Sequence, residues 1–193
     1  MNTVIVKYNA GNIRSVDFAL KRMGVNAVIS DDHDLIRKAD KVIFPGVGEA
    51  GTTMSYLKER GLDMLLKGLT QPVLGICLGQ QLMCSWSEEG DTPCIGIFEE
   101  QVLRFPPGDK VPHMGWNQLV APSGELFRGV AEGEYVYFVH SYYVPVSDHT
   151  AAACEYINKF SASLQKDNFF ATQFHPEKSG ATGQKILENF IRL

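Results

Sequence analysis

The order in which strand-like and helix-like stretches follow one another over the first eighty residues restricts this chain to one broad architecture. Thr3–Tyr8 is a β-branched run, and a helical pattern over Ile13–Met23 follows, closed by Gly24. Asn26–Ser30 reads as a second strand, and Asp32 is placed to cap a short helix through Lys38. Lys41–Phe44 reads as a third strand, ending abruptly at Pro45-Gly46, before a helical stretch through Met54–Lys67 and a strand over Pro72–Ile76. Strands that alternate with helices predict βαβ units and a parallel sheet covered on both faces. The second half changes character: Gln101–Phe105, Asn117–Val120, Glu134–His140, Ala151–Glu155 and Phe169–Phe174 read as strands with few helices between them. Some of these are expected to pair antiparallel. An amphipathic helix over Gly180–Leu193, carrying Ile186, Leu187, Phe190 and Ile191, closes the chain. The expectation is a three-layer α/β fold with a mostly parallel central sheet, helices on both faces and an additional antiparallel portion. With no repeat, low-complexity tract or linker in the 193 residues, one domain spanning 1–193 is expected.

Composition serves here to exclude. A hydrophobic fraction of 45% and a charged fraction of 21% are those of a globular chain rather than a disordered one. The 18 basic and 22 acidic residues are mixed, leaving a net charge of −4 and no concentrated basic face for nucleic acid. No apolar run approaches the ~20 residues that span a bilayer. The N-terminus reads as a first strand rather than a secretory leader, so a cytoplasmic setting with reduced thiols is expected. Cys77, Cys84, Cys94 and Cys154 match no disulfide or zinc spacing, and Cys84 and Cys154 read as small buried hydrophobes.

Cys77 stands apart. In Val73-Leu74-Gly75-Ile76-Cys77-Leu78-Gly79-Gln80-Gln81-Leu82 an apolar strand runs into Gly-x-Cys-x-Gly, and a helical pattern starts at once behind it. This is the cysteine form of a nucleophile elbow, a sharp strand-to-helix turn that lifts a reactive atom above the sheet. Side chains at Gly75 or Gly79 would collide or resist the dihedrals of such a turn. The helix N-terminus behind the sulfur favours thiolate, and the Leu78 amide is aimed where an oxyanion would form. On these residues alone, an ordinary buried cysteine at a tight connection remains open.

A nucleophile at a strand end needs a base and a group to orient it. Among His33, His113, His140, His149 and His175, His175 stands directly behind a strand in Gln173-Phe174-His175-Pro176-Glu177. Pro176 ends the ladder and fixes a turn, which places His175 on the same edge of a parallel sheet as Cys77. Glu177 is placed to turn back onto the other imidazole nitrogen and hold its tautomer. His140 competes as base, but no carboxylate follows it closely, which suits a wall of the site better.

Together these motifs resemble the class I (triad) glutamine amidotransferases, a flavodoxin-like family. Its signatures are matched by Gly75-Ile76-Cys77-Leu78-Gly79-Gln80-Gln81, by His175-Pro176-Glu177 and by the loop Pro45-Gly46-Val47-Gly48. Within the family the chain resembles the glutaminase subunits of imidazole glycerol phosphate synthase in histidine biosynthesis. Tyr8-Asn9-Ala10-Gly11-Asn12-Ile13-Arg14-Ser15, Pro45–Gly48, His113-Met114-Gly115-Trp116-Asn117 and His175-Pro176-Glu177-Lys178-Ser179 carry that resemblance, and Lys7, where an acidic residue is expected, departs from it.

The resemblance implies a Cys77–His175–Glu177 triad that hydrolyses glutamine through a glutamyl thioester, with neither cofactor nor metal. It implies an oxyanion hole from Leu78 and the Gly46–Val47 peptide, which the partner's ligand is expected to flip into place. It further implies Gln81, Glu89, Ser141 and Tyr142 as holders of the glutamine α-groups. His113, Met114, Gly115, Trp116, Asn117, Tyr137 and Lys178 are implied to face a partner, a (β/α)8-barrel cyclase that receives the ammonia. Two enzymic alternatives stay open, a glutaminase for another synthase (anthranilate, purine, guanylate or pyridoxal phosphate) and a Cys-nucleophile α/β hydrolase. The hydrolase is disfavoured because its acid should precede the histidine. A non-catalytic thiol module is the third, distinguished by having no need of Glu177.

Overall fold

A computed structural model describes residues 2–8 and 12–193. Its seven-stranded main sheet contains β1 (Thr3–Val6), β2 (Ala27–Ser30), β3 (Lys41–Gly46), β4 (Val73–Cys77) and the later strands Phe169–Thr172, Lys159–Lys166 and Thr150–Glu155. The spatial order is β2-β1-β3-β4 followed by those three in that sequence. All pairings from β2 to Phe169–Thr172 are parallel, and the last two are antiparallel. The five parallel strands thus have the doubly wound order of flavodoxin-like folds, in which ligands bind at the carboxyl ends of the strands. A separate antiparallel pair, His113–Gln118 with Tyr135–His140, lies outside this sheet.

Period-two alternation splits the core into two layers. Val4, Val6, Val42, Phe44 and Val73 point to one face, where α2 (His33–Lys38), α3 (Ala50–Glu59), α4 (Leu62–Lys67) and α5 (Leu78–Met83) bury Ile36, Leu57, Leu66 and Leu82. Ile5, Ile43, Leu74 and Ile76 point to the other, against Val16 and Leu20 of α1 (Ile13–Arg22) and Ile186, Leu187 and Phe190 of α6 (Gly180–Arg192). Burying a strand on both faces is what parallel sheets require, and it explains the near-continuous apolar runs in these segments.

The structure departs from the sequence reading at several boundaries. β3 continues through Pro45-Gly46. Its pairing with β1 ends at Ile43 while that with β4 runs on to Gly46 and Cys77, so the missing Pro45 N–H faces no partner strand on the β1 side. The stretch expected as one helix over Met54–Lys67 is two, broken at Gly61, whose φ of 63° is left-handed. A strand begins at His113, four residues before the expected start. Lys159–Lys166 went unread as a strand because Ser161 and Ser163, both fully buried, interrupt its apolar signal. Asn9, Ala10 and Gly11 of the resembling N-terminal passage lie outside the described residues.

Candidate active site

Strand register brings the candidate residues to one edge. Cys77 ends β4 opposite Gly46 at the end of β3, and Ile76 lies opposite Thr172, three residues before His175. Cys77 has φ 55° and ψ −108°, a strained conformation held by its surroundings. The glycines show how. A Cβ on Gly79 would lie 2.0 Å from the Phe44 carbonyl oxygen, and one on Gly75 would lie 2.4 Å from the Met83 sulfur. Gly46 is equally enclosed, 2.5 Å from the Tyr8 hydroxyl and 2.8 Å from the Gly79 nitrogen by the same measure. The turn is therefore a close approach of three backbone segments that only glycine allows. α5 behind it has six residues, fewer than two turns, so the Leu78 and Gly79 amides matter more there than a macrodipole.

His175 is fully buried, and its Nδ1 meets Glu177 Oε1 at 2.8 Å. Glu177 turns back through the single 3₁₀ turn Pro176–Lys178, as the proline predicts. Asn12, at the start of α1, donates its amide N–H to the same Glu177 oxygen and lies 3.3 Å from His175 Nδ1. Ser179 latches the turn, donating to the His175 carbonyl at 2.6 Å and accepting from the Tyr137 amide at 2.9 Å. With Nδ1 committed, the buried Nε2 has no hydrogen-bond partner among the described residues and is the ring nitrogen left to serve the sulfur. Burial lowers the His175 pKa, but interaction with Cys77 and then Glu177 outweighs it and pushes the value up to about 10. These two partners thus favour the protonated imidazole over the neutral one. Cys77 Sγ also lies 3.8 Å from Gln173 Nε2 and 3.9 Å from the Val139 carbonyl.

A cavity of about 360 Å³ opens over this edge, lined by Val47, Gly48, Cys77, Leu78, Gln81, Glu89, Pro112, Val139 and His140 with Ser141, Tyr142 and His175. The triad candidates Cys77 and His175 and all four expected α-group residues thus share its lining or its wall. Gln81 is buried and donates Nε2 to the Tyr142 carbonyl at 3.1 Å and to Gln173 Oε1 at 3.0 Å. Glu89 accepts from the Ala50 amide at 2.9 Å, and burial raises its pKa. Of the expected oxyanion loop, Val47 and Gly48 reach the cavity, whereas Gly46 packs behind it against Gly79.

The residues expected to face a partner do not share one surface. Alternation along His113–Gln118 turns Met114 and Trp116 outward, 61% and 55% exposed, while His113 points inward at 4%. Trp116 pairs with Tyr137 across the hairpin, ring centroids 6.0 Å apart, and Lys178 is exposed beside them on the 3₁₀ turn. Asn12, Gln173 and Ser179 were missed as contributors. Asn12 and Ser179 lie within the resembling passages, but the bonds joining Asn12 to Glu177 and the Tyr137 amide to Ser179 link residues 165 and 42 positions apart, which no local pattern encodes. Among the described residues, no helix is long and apolar enough to cross a membrane.

Comparison with known proteins follows the same lines. A family model described as glutamine amidotransferase class-I matches residues 5–193. The chain is 63% identical to the imidazole glycerol phosphate synthase subunit HisH of Bacteroides thetaiotaomicron over the full length of both chains. It is 48% identical to the protein of that name from Shewanella sediminis, covering all of this chain and 91% of the other. Among solved structures, a glutamine amidotransferase from Thermotoga maritima superposes with a TM-score of 0.63 at 16% identity, covering 100% of this chain and 83% of that one. A putative GMP synthase component from Thermoplasma acidophilum superposes with a TM-score of 0.75 at 22% identity, covering 100% and 93%. At such identities the superpositions speak to the fold alone.

Proposed function

This chain belongs to the class-I glutamine amidotransferases and is a glutaminase, and from that premise we propose that it is the glutamine-hydrolysing subunit of imidazole glycerol phosphate synthase, with Cys77, His175 and Glu177 as its triad. Cys77 attacks the side-chain carbonyl carbon of glutamine, and the charge that develops on oxygen is met by the Leu78 amide and the Gly46–Val47 peptide. The C–N bond breaks as nitrogen takes the proton held on His175 Nε2, releasing ammonia and leaving a glutamyl thioester. His175 then takes a proton from water, which attacks the thioester. The C–S bond breaks, glutamate leaves and the sulfur is restored. Glu177 keeps the imidazole in the tautomer that presents Nε2 to each of these steps.

Glu89 supplies the carboxylate that the glutamine ammonium group needs, and Gln81, Ser141 and Tyr142 complete the α-group contacts. The outward aromatics Trp116 and Tyr137, with Met114 and Lys178, suit an interface with the (β/α)8-barrel cyclase subunit, since aromatics are enriched at interface hot spots. Ammonia passes to that subunit before bulk water can protonate it. There it is used to make imidazole glycerol phosphate and AICAR in the histidine pathway, in the cytoplasm. The observation that carries the chemistry is the buried His175–Glu177 pair facing Cys77 at one strand edge, at 2.8 Å between its partners.

The test is reconstitution with the barrel cyclase. The complex should form product from glutamine, and Cys77→Ala should abolish that activity while leaving ammonia-driven synthesis intact. Loss of ammonia-driven synthesis as well, or no stimulation by the cyclase, would overturn the assignment.

A further inference from the structure

Two buried histidines, His113 and His140, have no part in the chemistry above, yet His140 lines the cavity. Their proton positions follow from their neighbours. Asn117 is oriented by two backbone partners: Oδ1 accepts from the Gln118 amide at 2.8 Å, and Nδ2 donates to the Glu155 carbonyl at 2.9 Å. The second Nδ2 hydrogen is left for His113 Nε2, 3.3 Å away. An Nε2 that accepts carries no proton in the neutral ring, so His113 holds its proton on Nδ1 and donates it to His140 Nε2 at 3.0 Å. His140 then holds its proton on Nδ1, which donates to the Tyr142 carbonyl at 2.7 Å. Read from the other end the answer is the same, because a carbonyl oxygen can only accept.

Packing holds both rings in place. His113 stacks on Tyr156 with centroids 4.0 Å apart and on Phe138 at 4.9 Å, and His140 lies 5.1 Å from the Phe160 ring. Burial pushes the His113 pKa down to about 4 and, against the hydrogen bond to Tyr142, that of His140 down to about 3, so both rings are neutral at physiological pH. The Tyr142 carbonyl that ends the chain also receives Gln81 Nε2, and Gln81 in turn holds Gln173 beside Cys77.

We infer that Asn117, His113 and His140 form a one-way hydrogen-bond chain that fixes the Tyr142 carbonyl and Gln81 in the wall of the glutamine cavity from the outer hairpin, making the two histidines positioning residues for the substrate. The inference rests on the reading of that cavity as the glutamine site. It gives the hairpin a role in substrate binding separate from any contact made by Trp116. Every link has one donor and one acceptor, so reversing any link leaves two acceptors or two donors facing each other in a buried place.

The test has two arms. Ring-nitrogen NMR of the full chain labelled with 15N-histidine at pH 7 should show His113 and His140 neutral and protonated on Nδ1. Asn117→Asp puts an acceptor where a donor stood and should move the His113 proton to Nε2 or add a second one. In the complex with the cyclase, His140→Phe and Asn117→Asp should raise the glutamine KM about five- to tenfold with kcat changed less than about twofold. His140→Asn, whose amide can still donate to the Tyr142 carbonyl, should recover most of the loss. An Nε2 proton on either ring of the unsubstituted chain, unchanged ring shifts in Asn117→Asp, or an unchanged KM in His140→Phe would overturn the inference. Absence of Cys77-dependent glutamine hydrolysis would instead overturn the glutaminase reading, and the ring-nitrogen spectra would still decide the chain of bonds.

Discussion

The edge of the parallel sheet and the hairpin that walls it hold their side chains by different means. At the sheet edge, Cys77 is positioned by backbone: the register of β3, β4 and Phe169–Thr172, and glycines so enclosed that a single methyl on Gly79 would strike the Phe44 carbonyl. At the hairpin, position is set by side chains, through a relay from Asn117 to Gln81 in which each link is one hydrogen bond. The first arrangement suits groups that break bonds and must not drift. The second suits a wall that holds a substrate, and it can be weakened one bond at a time.

That contrast can be broken from either side. The largest effect is expected from Gly79→Ala, whose Cβ would meet the Phe44 oxygen at 2.0 Å. Overpacking of this kind should cost about 3 kcal/mol of stability, read by denaturant unfolding, whereas alanine at Gly133, where nothing lies within 4 Å, should show only the cost of its φ of 84°. Similar losses at both positions would show that the turn is looser than its contacts suggest. Next comes Glu177→Gln, which keeps the shape of the side chain but removes the charge on His175 Nδ1. Glutamine hydrolysis should fall about 10²-fold. Retained turnover would leave the imidazole needing no carboxylate.

The smallest effect concerns pH. His113 and His140 have pKa values depressed in the folded chain, so they contribute stability that is present above about 6.5, the ordinary imidazole value, and lost as pH falls toward 4 and then 3. Over that window the unfolded chain binds more protons, and acidification favours it. Removing one such ring in His140→Phe should reduce the slope of stability with pH by up to about 1.4 kcal/mol per unit. An unchanged slope between pH 4 and 6.5 would mean that the ring is not neutral and buried.

The same division decided what could be read in advance. Gly75, Cys77 and Gly79 announce a strand-to-helix turn because the constraint acts between neighbours, and Pro176 announces the return of Glu177 for the same reason. The parallel sheet was legible from alternating periodicities within short windows. Lys159–Lys166 was not, because its buried serines satisfy their hydroxyls on the Pro145 and Ala171 carbonyls, partners invisible along the chain. Nor was the inward turn of His113, which depends on the strand starting there rather than at Asn117. Gln81, Gln173 and Asn12 belong to this second kind: their meaning lies in hydrogen bonds made across 61 to 165 positions.

The claim beneath the rest is that one sulfur out of four is set apart by meeting an imidazole. It is tested most directly by treating the chain, in its complex, with an electrophilic glutamine analogue and mapping the adduct by mass spectrometry. Cys77 alone should be labelled, Cys84, Cys94 and Cys154 should stay free, and His175→Ala should slow the labelling by at least about 10²-fold. Equal labelling of another cysteine, or labelling of Cys77 at an undiminished rate without His175, would contradict it.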